Sequence, residues 1–202
     1  MNKQILNVAF EDDIDTDAIL SMKEALAAFG EEVSFHELPK RGPQASILLL
    51  TMSSIVLVFG VSFAKKIGEK SAEATWQLVE KGLSKLYKKY FGETPGHVIY
   101  YVSGSEKKLP NTKYSLTLSL LCTGSKGENI KFIYETKLSQ AQFNKATRAY
   151  LRAMPEFTSS STGVIQNLIE KNPTRVSPFL IAWDAVSEEL IFVNVMPAAA
   201  DI

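Results

Sequence analysis

The chain has 202 residues, enough for one large domain or two small ones, and its 46% hydrophobic and 22% charged residues are ordinary for a globular protein. Its 22 basic and 22 acidic side chains cancel, so no overall field attracts nucleic acid, and nucleic-acid binding is disfavoured. The single cysteine, Cys122, excludes an intrachain disulfide and, with a polar N-terminus unlike a signal peptide, predicts a reducing, cytoplasmic setting.

Residues 1–44 are predicted to form a βαβ unit. Alternating side chains over residues 5–10 are typical of a strand, and apolar spacing over residues 17–28 predicts a helix that ends at Phe29 and Gly30. Val33 and Phe35 mark a second strand. The connection over residues 38–43, which contains two prolines, separates this unit from the centre of the chain.

An acidic stretch over residues 11–17 lies between the first strand and the first helix. Asp13, Asp15, Asp17 and Glu24 occupy positions of a calcium-binding loop that carry carboxylates, but Ala18 stands where that loop needs glycine. The stretch is therefore interpreted as the acidic start of a helix, where carboxylates cap the first turn and are stabilised by the positive end of the helix dipole. A metal site formed by these four carboxylates is the minor alternative.

Residues 46–64 carry no charged side chain, a length that just meets what a membrane-spanning helix needs. The run favours a buried helix that breaks around Ser53 and Ser54 or at Gly60. A membrane-inserting helix is the second interpretation. Buried strands over residues 47–51 and 55–63 are the third, because β-branched residues are frequent there and a short apolar run does not distinguish helix from strand.

From about residue 67 to Phe91 the spacing of apolar side chains predicts an amphipathic helix, with lysines crowding its last turns. Gly60, Ala64, Gly68 and Ala72 recur at every fourth residue, so a single helix would place them on one line. Small side chains at this spacing allow a second helix to approach closely. The four residues are thus predicted to be a helix-docking seam for a protein partner or for self-association.

After residue 94 the pattern changes to that of a mainly antiparallel sheet with helices. Strands are predicted over residues 97–102, 115–122 and 130–136, and a final hairpin over residues 179–183 and 190–195. In the second strand Ser115, Thr117 and Ser119 alternate with apolar residues, which predicts a sheet with one solvent-exposed face.

Two helices are predicted within this part. Ser139 and Gln142 have the spacing of a capping box, and the helix they open is expected to stop at Pro155. The serine-rich residues 158–162 are interpreted as a linker, and a short helix follows over residues 164–170.

No catalytic or cofactor-binding residues are predicted. Cys122 lies on the apolar face of its strand and is interpreted as a buried, inert thiol, with a catalytic pairing to His36 or His97 as a minor alternative. These three residues match no compact zinc motif. The residues Gly124 to Gly127 are interpreted as a hairpin turn and not as a phosphate-binding loop.

The order of elements over residues 1–90 carries a family resemblance. A strand at residues 6–10, a helical segment at 15–30, the linker at 38–43 and the apolar run leading to Lys65, Lys66, Ile67 and Gly68 together resemble the effector-associated constant components of bacterial conflict systems. This resemblance implies a partner protein in a bacterial defence or signalling context. It implies no catalytic residues.

The sequence therefore predicts an α+β fold with a βαβ unit over residues 1–44, a central helical segment over 45–93 and an antiparallel part over 94–202, which can also form one continuous domain. The predicted function is that of a non-enzymatic interaction or regulatory protein, with no cofactor. The alternative is a membrane-associated or pore-forming effector that inserts residues 46–64. A metal-dependent enzyme using the acidic residues 11–17 is the third hypothesis.

Overall fold

The computed structural model describes residues 6–12, 14–39, 53–60, 63, 72–91, 101–103, 106–108, 113–172 and 177–194, and shows an α+β protein built on a mixed sheet of seven strands. The strands are β1 (Leu6–Glu11), β2 (Val33–Leu38), β3 (Ile55–Phe59), β4 (Tyr101–Ser103), β5 (Glu106–Lys108), β6 (Tyr114–Thr123), β7 (Asn129–Glu135), β8 (Phe179–Trp183) and β9 (Leu190–Phe192). The α-helices are α1 (Thr16–Leu26), α2 (Ala72–Tyr90), α3 (Gln140–Ser160) and α4 (Gly163–Lys171), and a 3₁₀ segment (Ala27–Glu32) follows α1.

The strands of the large sheet lie in the order β2-β1-β3-β6-β7-β8-β9, and β4 pairs with β5 in a separate hairpin. Strands β1 and β2 are parallel and joined by α1, so the predicted βαβ unit is confirmed. The β6–β7, β8–β9 and β4–β5 pairs are antiparallel, which confirms mainly antiparallel pairing in the second half of the chain. The α+β class is confirmed as well.

The central apolar run contributes the strand β3, so the favoured interpretation as a helix is wrong for residues 55–59. Leu57 of β3 pairs with Val8 of β1 on one side and with Leu120 of β6 on the other. The strand alternative is therefore confirmed over residues 55–59. Its β-branched residues suit a strand that is hydrogen-bonded on both sides. Residues 46–52 lie outside the described part. None of the described helices is long and apolar enough to cross a membrane.

All four α-helices pack against the same face of the sheet and form the main core with it. The ring centroids of Phe132 and Tyr150 lie 4.6 Å apart, as do those of Tyr134 and Phe143, so that stacked aromatic rings join β7 to α3. Helices α1 and α2 approach closely at Gly82, where a Cβ atom would lie 3.4 Å from Cγ of Met22 on α1. The amphipathic helix predicted up to Phe91 is confirmed over residues 72–90.

Tyr150 ties α3 to two strands at once. Its hydroxyl donates a hydrogen bond to the carbonyl oxygen of Ile133 at 2.5 Å and accepts one from the backbone N–H of Trp183 at 3.0 Å. The side chain is fully buried, and burial raises the pKa of this hydroxyl well above its ordinary value, so that it stays protonated and able to donate.

At β6 the opposite face of the sheet is also buried, so the solvent-exposed face predicted for this strand is wrong. Ser115, Thr117 and Ser119 of β6 are 7%, 6% and 0% exposed. On this face a second, smaller apolar cluster is formed by Ile133, Leu180, Ala182 and Val193. Polar residues on β6 therefore alternate with apolar ones without facing solvent.

Helix α3 begins at the predicted capping box but does not stop at Pro155. The helix continues to Ser160, so residues 158–160 of the predicted linker form its last turn, and only Ser161 and Thr162 connect it to α4. Thr158 and Ser159 donate hydroxyl hydrogen bonds to the carbonyl oxygens of Met154 and Pro155, at 2.9 and 2.6 Å. Because buried Phe157 continues the apolar face of α3, its packing offsets the cost of proline within a helix, about 3 kcal/mol.

Candidate functional site

Two acidic residues of the stretch lie at the start of α1, as predicted: Asp15 caps the helix and Asp17 lies in its first turn. Oδ1 of Asp15 accepts hydrogen bonds from the backbone N–H groups of Asp17 at 2.9 Å and Ala18 at 3.2 Å, which makes Asp15 the N-cap. Its carboxylate also pairs with Lys89 of α2. The hydrogen bond from Lys89, followed by that from Ala18, holds the pKa of Asp15 below its ordinary value.

The other metal candidates do not gather around Asp15. Asp17 and Glu24 are exposed on α1, and Asp13 lies outside the described residues. Within the described ranges, no three side chains of the types His, Cys, Asp and Glu lie close enough together to hold a metal ion. Among the described residues, Asp15, Asp17 and Glu24 therefore do not form a metal-binding cluster.

Cys122 is a buried free thiol, as predicted. Burial raises its pKa to about 12, so the nucleophilic thiolate is not formed near neutral pH. His36 lies on β2, three strand positions away from β6, a separation of about 14 Å at the usual spacing of strands. A catalytic pairing of Cys122 with His36 is therefore wrong. His97 lies outside the described residues.

The predicted docking seam divides between described and undescribed parts of the chain. Gly60 follows β3 and accepts a backbone hydrogen bond from Phe63 at 3.0 Å, and Ala72 begins α2. Ala64 and Gly68 lie outside the described residues, so the seam stays a prediction. The close approach of two helices that the structure does show is at Gly82.

The residues Gly124 to Gly127 form the β6–β7 turn, as predicted. The N–H of Gly124 donates to the carbonyl oxygen of Glu128 at 2.7 Å, and the N–H of Gly127 donates to that of Gly124 at 3.1 Å. The turn packs on the end of α3, where Oγ of Ser125 lies 2.5 Å from Oγ of Ser161. The turn therefore connects the sheet to the corner between α3 and α4 through the Ser125–Ser161 contact.

An open groove lies between α3, α4 and the β8–β9 turn (residues 184–189), with a volume of about 520 Å³. Each helix contributes residues at positions i, i+3, i+4 and i+7, which form one continuous stripe along a helix. This surface is named the α3–α4 groove. Its lining residues are Ala149, Arg152, Ala153 and Glu156 from α3, Val164, Asn167, Leu168 and Lys171 from α4, and Glu188, Glu189 and Leu190 from the hairpin.

Exposed apolar side chains occur in the α3–α4 groove and in the turn beside it. Three large apolar side chains are exposed among the described residues: Leu20, Val164 and Val186, at 49%, 54% and 95%. Val164 lines the groove, and Val186 lies in the turn that forms one of its walls. Exposed apolar surface rimmed by polar residues is characteristic of protein interaction sites.

Four charged side chains of the groove have no ion-pair partner within the described part of the chain. They are Arg152, Lys171, Glu156 and Glu189, all exposed. By contrast, the charged residues next to them are paired: Lys145 lies 2.5 Å from Glu188, and Arg148 donates to Glu80 from Nη2 to Oε1 at 2.9 Å and from Nε to Oε2 at 3.3 Å. The groove therefore presents two cations and two anions that can meet charges on another molecule.

Sequence reasoning did not identify this groove. The signal was the spacing of Ala149 and Ala153 on α3 and of Val164 and Leu168 on α4. Such stripes also occur on helix faces that are buried, so they do not show which face is left uncovered. The termination of α3 predicted at Pro155 further obscured the tight corner that sets α4 beside α3.

Comparison with known proteins adds no relative. No family model matches the sequence, and neither a curated protein nor a solved structure matches it. The side chains of this chain are therefore the basis for assigning its function.

Proposed function

We propose that this chain is a non-enzymatic interaction or regulatory protein of a bacterial defence or signalling system, and that it docks another protein in the α3–α4 groove. The observation that carries the proposal is the exposed Val164 in the groove, with the exposed Val186 in the turn that supplies Glu188 and Glu189 to one wall. Removing apolar surface of this kind from water contributes about 25 cal/mol for each Å² buried. The groove therefore offers a protein partner a gain in free energy.

The groove is open to solvent and is edged by exposed charged side chains, as a protein docking surface is. Its two helical stripes run along the helices, and the α4 stripe from Val164 to Lys171 extends about 10 Å at 1.5 Å per residue. The floor is made by small side chains, Ala149 and Ala153, which allow a protein surface to approach closely. The unpaired charges lie around it, as in the polar rim of a protein interface.

The bacterial context rests on the resemblance of residues 1–90 to components of conflict systems. A cytoplasmic location belongs to the same proposal, because the single cysteine of the chain is a free thiol, which a reducing compartment preserves. In this setting the protein acts by holding a partner and not by chemistry of its own.

Site-specific photocrosslinking tests the proposal. Asn167, exposed in the groove, is replaced by p-benzoylphenylalanine in cells that produce the protein, and Glu24, exposed on α1, carries the same replacement as the control. Irradiation should yield a discrete adduct with a protein from position 167 and none from position 24. Equal adducts from both positions, or none from either, would show that the groove is not a docking surface.

A further inference from the structure

We infer that the occupant of the α3–α4 groove is the same surface of a second copy of this chain, so that the protein is a two-fold symmetric homodimer. This inference rests on the proposed function, since it names the partner of the same groove. In a two-fold interface one patch faces itself, and a contact from residue i to residue j is repeated from j to i. The patch must therefore be complementary to itself in both charge and shape.

The charges of the groove meet this requirement. Arg152 and Lys171 supply two positive charges, Glu156 and Glu189 supply two negative ones, and none of the four has an ion-pair partner among the described residues. Facing itself, the patch can set each cation of one copy against an anion of the other. A strongly acidic or strongly basic partner would instead leave two of the four charges opposite like charges, which is unfavourable at an interface.

The apolar side chains of the groove are complementary in shape. Val186, at 95% exposure, projects from the β8–β9 turn, while the small side chains Ala149 and Ala153 leave a hollow along α3. Val186 is not itself a lining residue, but it belongs to the turn whose Glu188 and Glu189 line the groove, so the projecting side chain lies next to the hollow in sequence and on the same wall element. In a two-fold dimer each copy can insert its Val186 into the hollow of the other, and the contact is made twice.

The interface inferred here lies apart from the seam predicted in the central segment. It uses α3, α4 and the β8–β9 turn, all of them described, and does not involve Gly60 or Ala72. The inferred dimer interface is therefore formed by α3, α4 and the β8–β9 turn, and variants of the seam do not test it.

Charge reversal gives the sharpest test. One variant, Glu156→Lys with Glu189→Lys, makes all four unpaired charges of the groove positive, and a second, Arg152→Glu with Lys171→Glu, makes all four negative. Each variant alone faces like charges across the two-fold axis, and its dimer dissociation constant should rise by more than about ten-fold. Mixed in equal amounts, the two variants should form a heterodimer, which native mass spectrometry distinguishes by its mass.

The control and a second variant keep the test independent of folding. Glu24→Lys with Glu37→Lys makes the same charge change at exposed positions on α1 and β2 and should leave the dimer unchanged. Val186→Asp alters a side chain that is almost wholly exposed, so the fold should persist, as circular dichroism will verify, while the dimer weakens. Sedimentation velocity over a range of protein concentrations measures all of these species.

Three outcomes overturn the inference: wild-type protein that sediments as a monomer at every concentration, reversed variants that dimerise as the wild type does, or a mixture that forms no heterodimer. A monomer whose position 167 still crosslinks to a different protein would refute the homodimer and leave the proposed function standing. A monomer without any crosslink from position 167 would refute both.

Discussion

Replacing Tyr150 by phenylalanine should destabilise the protein through the loss of a single oxygen atom. The hydroxyl is the partner of the buried N–H of Trp183 at 3.0 Å, and it donates to the carbonyl oxygen of Ile133 at 2.5 Å. A buried backbone group left without its partner costs about 1–3 kcal/mol. For a chain of this size, each kcal/mol lowers Tm by about 2–4 °C, so that the melting temperature should fall by about 2–12 °C.

Tyr134→Phe is the matched control, because Tyr134 is equally buried and lies against the same helix. Its hydroxyl contacts Oγ1 of Thr147 at 3.0 Å, and that hydroxyl keeps a second hydrogen bond, to the carbonyl oxygen of Phe143 at 2.8 Å. This variant should lose less stability than Tyr150→Phe in urea titrations. The reasoning is refuted if Tyr150→Phe is no less stable than Tyr134→Phe.

Gly124→Ala should lower stability by about 1–3 kcal/mol, the usual cost of overpacking, because a Cβ atom there would lie 2.5 Å from Cζ of Phe157; equal denaturation midpoints would contradict this. Cys122, with its pKa raised to about 12 by burial, should react with a thiol reagent only after unfolding, and rapid reaction of the native protein would show that the thiol is accessible. Asp15→Asn keeps the N-cap but removes the charge that pairs with Lys89. Because folding lowers the pKa of Asp15, the ionised carboxylate stabilises the fold fully above pH 3.8, and this stabilisation is lost as the pH falls through the lower pKa of the folded state. The wild type should therefore be more stable than Asp15→Asn at neutral pH, and the difference should shrink in acid. A difference in unfolding free energy that grows as the pH falls below 3.8 would contradict this.

Local signals predicted much of the fold. Alternation over residues 5–10, the acidic start of α1 and the return at Val33 identify the βαβ unit because each depends on neighbours in sequence. The capping box at Ser139 predicted the start of α3 for the same reason. Elements whose boundaries are set by side chains a few residues away can thus be found from the sequence alone.

The errors arose where distant contacts decide the structure. Residues 55–59 form a strand in the middle of the sheet, and apolar side chains at every position there erase the alternation that would distinguish strand from helix. Pro155 stays within α3 because the buried residues beyond it, such as Phe157, belong to the core. Neither contact can be read from neighbouring residues.

The α3–α4 groove was missed for a related reason. Its residues are spaced as on any amphipathic helix, and only the arrangement of α3, α4 and the β8–β9 turn shows that the stripes with Ala153 and Leu168 face an open space. The exposure of Val186 likewise follows from its place in a turn that the core does not cover. An uncovered surface is a property of the whole fold.

Hydrogen exchange measured by mass spectrometry at low and at high protein concentration tests the docking surface most directly. If a second copy occupies the α3–α4 groove, amides of α4 and of residues 184–190 should exchange more slowly at high concentration, while those of α1 keep their rates. Equal exchange in α4 at both concentrations, or protection confined to elements outside the groove, would contradict the account.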